Sequence, residues 1–217
     1  SDVYKRQGSK IVGGLRGVMK TGMISVGTAA GATLGASITK GVGRLTAIEN
    51  AEAKLSGLGN SAEDVSNIMD NALVSVKGTA YGLDAAATTA AMAVASGIEP
   101  GERLEQVLTT VADTAGIAGA SMDEMGAIFG SVAARGKLQG DDLMQLTSRG
   151  IPVLQMLGDE LGKTSEEISD MVSKGEIDFE TFESALRNHI GGAAQEAGKT
   201  TSGAVSYTHL TLPTKRI

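Results

Sequence analysis

The sequence predicts an all-α fold: a multi-helix bundle of amphipathic helices and helix-turn-helix hairpins, preceded by a Gly/Ala-rich segment that is helical or flexible. Three observations predict it. Apolar residues recur at three- and four-residue spacing from Arg44 onward, helix-start signatures stand ahead of the apolar runs, and no long stretch alternates apolar with polar residues as a strand does. Only 3% of the residues are aromatic while Gly contributes 30, so the core must come from Leu, Ile, Val, Met and closely packed small residues.

The two ends stand apart from the rest. The reverse complement of one coding string for Ser1–Gln7 encodes Val205–Leu210 in another frame, and the string resembles the transposase adapter used to build short-read sequencing libraries. Residues 1–7 and 205–217 are therefore expected to be adapter read through in frame and are excluded from fold reasoning. On that expectation, residues 8–204 are a window from a longer reading frame.

Residues 8–43 are a Gly/Ala-rich, weakly hydrophobic segment. Gly13 and Gly17, and then Gly27, Gly31 and Gly35, recur at four-residue spacing, which lines small residues along one helical stripe where another backbone can approach. Thr21 to Thr39 is an uncharged run about long enough to cross a bilayer, yet it holds few large aliphatics. Three readings stay open: a tightly packed or flexible helix within an assembly, a membrane-active segment, and disorder.

Residues 44–190 carry the helical signal. Ser61 and Asp64 form a capping-box pattern ahead of Val65, Ile68, Met69, Ala72, Leu73 and Val76 on one face. YGLDAAATTAAMAVASG comes next, and its near-continuous Ala face calls for close contact between neighbouring helices; whether these belong to this chain, to missing chain or to other copies stays open. Pro100 suits the start of a helix bearing Leu104, Val107, Leu108, Val111 and Ala115. Ser121–Glu124 caps a helix with Met125, Ile128, Phe129 and Val132; Pro152 sits in a first helical turn; Thr164–Glu167 caps one with Ile168, Met171 and Val172. Residues 191–204 begin a linker or a further helix.

An internal echo links two of the turns. GKLQGDDL (Gly136–Leu143) and GEIDFETF (Gly175–Phe182) match in their pattern of Gly, charge, aliphatic, acid and apolar residue. Both read as turns between helices, with Gly136 and Gly175 ending one helix in left-handed geometry and Asp141 and Asp178 near the next start. Leu138 and Ile177 are placed to pin the two turns together by packing or a short bridge.

The composition narrows the chemistry. Formal net charge is -6, and setting aside Lys5, Arg6, Lys215, Arg216 and Asp2 in the ends makes it -9, which gives no sequence-wide attraction for phosphate backbones. No specific nucleic-acid binding is expected. There is no cysteine, and outside the adapter-like end His189 is the sole histidine, so the usual zinc ligand sets and nucleophile–histidine pairs have nothing to draw on. His189, in RNHIGG, reads as a group near C-terminal helix carbonyls. GEIDFETF resembles the back of a calcium loop, but the register puts Asp170, Val172, Lys174 and Thr181 at ligand positions, and three of those four cannot build the cage. The carboxylate neighbours Asp141 and Asp142, and Glu166 and Glu167, sit at helix starts, where negative charge meets the helix dipole. Catalytic, cofactor and metal residues are accordingly assigned as none, and no cofactor is expected.

RLTAIENAEAKLSGLG, YGLDAAATTAAMAVASGI, GKLQGDDLMQLTSRGIPVLQMLGDELG and SKGEIDFETFESAL together resemble the N-terminal region of tape measure proteins of long-tailed bacteriophages. The resemblance covers most of Arg44–Ile190, and its most specific part is Leu138–Leu154 with the downstream GEIDFETF. It implies a structural, non-enzymatic protein made in the host bacterial cytoplasm and placed inside the tail tube of the virion. There it would set tail length by its own length and leave ahead of the DNA. Implied partners are the tail tube protein, tail assembly chaperones and other copies of the chain, with transient host-membrane contact through Thr21 to Thr39 as the alternative, membrane-active role.

Overall fold

A computed structural model describes residues 30–199, with side chains from residue 41 onward. The adapter-like ends and residues 8–29 of the Gly/Ala-rich segment lie outside the described residues, as does the part of the membrane-active reading that rests on residues 21–29. Among the described residues, no helix is long and apolar enough to cross a membrane.

The described residues form ten helices: α1 (Ala30–Gly57), α2 (Ala62–Val76), α3 (Leu83–Ala95), α4 (Glu102–Ala118), α5 (Met122–Arg135), α6 (Gly140–Thr147), α7 (Val153–Leu161), α8 (Ser165–Lys174), α9 (Phe179–Ile190) and α10 (Ala193–Gly198). The chain divides into two compact units, and Leu45 opens the second, which holds α2 through α10.

The three predicted capping boxes are the observed helix starts. Ser61, Ser121 and Thr164 each accept the backbone N–H three residues on, while Asp64, Glu124 and Glu167 reach back to the cap residue's N–H. Each box satisfies two of the N–H groups a helix start leaves without partners. Pro152 is the N-cap of α7 itself and not part of its first turn. In the first of the two matching turns, Gln139 is the N-cap and Asp141 stands inside the helix; in the second, Asp178 caps α9 by accepting the Thr181 N–H at 2.8 Å.

α4 is the spine of the second unit. It packs against α2, α3, α5, α9 and α10. Leu104, Val107, Leu108, Val111 and Ala115 are buried as their spacing predicts, and burial of each large aliphatic contributes about 1.5–3 kcal/mol. Phe129 of α5 meets Phe182 of α9 with ring centroids 5.1 Å apart and planes tilted by 54°, the geometry that aromatic quadrupoles favour.

α3 buries Ala86, Ala87, Ala90, Ala91 and Ala93 within the same chain. Helices of the same chain cover this Ala face: α3 packs on α2 and α5. A Cβ on Gly126 of α5 would lie 2.6 Å from Thr89 Cγ2, so this crossing is as close as glycine allows. One predicted core position fails. Leu73 is 43% exposed, and Ser75 is buried in α2 in its place, its hydroxyl donating to the Ala72 carbonyl.

Candidate functional site

Among the described residues, the buried carboxylates Glu183, Asp142 and Asp113 each form the centre of a joint between helices. Glu183 is fully buried on the apolar stripe of α9. Its Oε1 accepts the Thr110 hydroxyl of α4 at 2.7 Å, and its Oε2 accepts Arg103 Nη1 at 2.7 Å. Arg187, one turn further along α9, stands 3.5 Å from the same oxygen and donates to Gln106 of α4 at 3.2 Å. Arg103 Nη2 lies 2.6 Å from Glu180 Oε2 as an ion pair without hydrogen-bond geometry, and the guanidinium sits 5.6 Å from the Phe179 ring centroid. Two partly exposed arginines thus satisfy one buried acid, and α9 is registered on α4.

The second joint holds the first matching turn. Arg135, in the last turn of α5, grips Asp142 with Nη2 at 2.6 and 2.7 Å from the two oxygens, and its Nη1 donates to Gln139 Oε1 at 2.7 Å. Asp142 also accepts the Gln139 N–H at 3.2 Å, so one carboxylate caps α6 and ties it to α5. Burial pushes the Asp142 carboxyl up against the pull of that N–H and of Arg135. Its exposed neighbour Asp141 is held low by its hydrogen bond to the same guanidinium. Adjacent in sequence, the two acids have opposite environments.

The third joint is Asp113 of α4, nearly fully buried, which accepts the backbone N–H groups of Gly192 and Ala194 at 2.9 and 2.8 Å. In all three joints both carboxylate oxygens are engaged by protein donors, which fits holding helices together and leaves neither oxygen directed at a substrate.

The two matching turns meet as expected. Gly136 and Gly175 both end their helices with φ of +69°, and the Leu138 N–H donates to the Ile177 carbonyl at 2.8 Å within a short antiparallel bridge between residues 137 and 178. Leu138 and Ile177 are themselves buried.

The other acids singled out by sequence are spread along the chain. Glu124 and Glu167 serve their own capping boxes, and Glu166 lies exposed in the first turn of α8. Of the calcium-loop positions, Asp170, Val172 and Lys174 are part of α8 and Thr181 part of α9, with Val172 buried. Among the described residues, no group of three or more His, Cys, Asp or Glu is placed to hold a metal. His189 sits in the last turn of α9, where Nδ1 donates to the Ala185 carbonyl at 2.7 Å and Nε2 lies 3.7 Å from Asp159.

Sequence reasoning passed over Glu183, Asp113 and Arg103. A signal for the first was present: Glu183 falls on the stripe Phe179, Phe182, Leu186, Ile190, where an acid has to find a partner or water. Nothing local points to Arg103, because it lies 80 residues away in the chain.

A family model described as tape measure protein matches residues 39–209, which takes in the whole of 44–190 and ends within the adapter-like stretch 205–217. No curated protein and no solved structure matches the chain.

Proposed function

We propose a function from one premise: the chain belongs to the tape measure protein family and is a structural component of a phage tail. On our reading it acts as the measure itself, lying inside the tail tube, setting tail length during assembly and leaving ahead of the DNA at infection. Its partners there are the tail tube protein, tail assembly chaperones and other copies of itself. The observation that carries this reading is the family match over 39–209. The three joints agree with it, since each ties one helix to another through fully engaged carboxylates, as a part that works by contacts requires.

The test is tail length. In the phage that carries this gene, inserting about 20 helix-forming residues after residue 199 should lengthen tails by about 30 Å for a helical measure. Electron microscopy of purified tails reads the change, and tails of unaltered length would overturn the proposal. Net charge gives a second test. An acidic chain that shares a tube with DNA should not adhere to it. The protein is expected to leave the mobility of a short duplex unchanged at physiological salt, and a retarded band would count against the reading.

A further inference from the structure

Residues 191–199 attach to the unit differently from every helix before them. α10 buries one residue, Ala194, and contributes no large apolar side chain. Six residues of helix have no stability of their own, because the cost of nucleation is not recovered in so short a run. What fixes the segment is Asp113, whose two oxygens take the N–H groups of Gly192 and Ala194. Along the segment the backbones approach closely. A Cβ on Gly116 would rest 3.4 Å from Ala194 Cα, and one on Gly198 would run into the Gly78 carbonyl.

We propose that residues 191–199 form a strap that docks and lifts as a unit while the helices beneath it stay folded, with Asp113 as its latch. Of the strap's own helix, lifting uncovers one buried side chain, the methyl of Ala194. It also leaves Asp113 and the two freed N–H groups to water, so no buried charge is stranded. Lifting α9 is a different matter: Phe182, Ala185, Leu186 and Ile190 would be uncovered and the Arg103–Glu183 pair broken. Gly191 and Gly192 stand at the joint, and Gly192, with φ of +87°, holds a conformation that other residues avoid. The chain after residue 199 is thus joined to the unit through a segment that yields before the core when the chain is pulled.

Hydrogen exchange on the full chain tests this, comparing wild type with Asp113→Asn and Gly198→Ala. In wild type, the amides of 192–198 should exchange faster than those of α4, because the strap opens without global unfolding. In D113N, those amides should exchange about tenfold faster or more, as loss of charge-assisted bonds implies, with α4 and α9 unaltered. G198A acts at the far end of the strap without touching the carboxylate and should shift the same amides alone. Equal protection of the strap and α4 in wild type, unaltered strap exchange in G198A, or acceleration that spreads evenly through α4 in that variant would overturn the proposal.

Discussion

Glu183 shows what a single residue does in this fold. A fully buried carboxylate is tolerated because Arg103 and Thr110 bring donors to its two oxygens at 2.7 Å each, while the arginines keep a face to solvent. Replacing it by Gln keeps shape and removes charge. Arg103 would still face Glu180, so the expected cost is about 1.5–3 kcal/mol, in the range of a hydrogen bond to a charged group. Urea unfolding of the full chain reads it as a lower midpoint at unaltered slope, and an unmoved midpoint would mean that the joint contributes nothing to stability. Thr110→Val deletes one donor and should cost less than E183Q in the same assay.

At the scale of elements, what the sequence made legible was local. A capping box spans four residues and a C-terminal glycine one, so Ser61, Ser121, Thr164, Gly136 and Gly175 could be placed from short strings and are found in those roles. The pairing of the two turns was legible for another reason: the repeat of GKLQGDDL in GEIDFETF suggested two similar faces, and the Leu138–Ile177 bond joins them. The partner of the Ala face of α3 was not legible, because small side chains fit many neighbours and name none. The structure packs α3 on α2 and α5, and its crossing with α5 is close: a Cβ on Gly126 would come within 2.6 Å of Thr89 and one on Gly130 within 3.0 Å of Ser96. Gly126→Val should force α3 and α5 apart and cost about 1–3 kcal/mol, as overpacking does. Gly136→Ala should cost about 1 kcal/mol through its left-handed backbone alone, since a Cβ there meets nothing within 4 Å. Thermal unfolding separates the two variants, and a G126V protein as stable as wild type would mean that the crossing has room for a larger side chain.

Across the whole unit, the joints at Glu183 and Asp113 escaped sequence reasoning because their partners are distant in the chain, as with Asp113 and Ala194 at a separation of 81 residues, whereas Arg135 and Asp142 stand only 7 apart. The exposed acids were legible, and together they set how the molecule responds to pH. Asp64, Glu124, Glu167 and Asp178 are all held below their usual range, by the Ser61 hydroxyl in the first and by the backbone N–H groups of Ser121, Thr164 and Thr181 in the others. A carboxyl lowered in the fold favours the folded state above its unfolded pKa, near 4, and loses that contribution as pH falls through the lower folded value. Burial pushes Asp123 and Asp142 the other way, so their contribution is complete below the unfolded pKa and fades as pH rises through the raised folded value. The first group is larger and spread over four helix starts, so acid should destabilise the unit on balance. The urea midpoint is expected to fall between about pH 5 and about pH 2, with the steepest loss below pH 4. The quadruple variant D64N, E124Q, E167Q and D178N keeps acceptors at every cap but cannot titrate there. Its midpoint should vary less over the same range, and with those four acids gone the opposite trend of Asp123 and Asp142 should emerge. A quadruple variant that tracks the wild-type curve would place the acid sensitivity elsewhere, with the lowered Asp141 carboxyl as the next group to substitute.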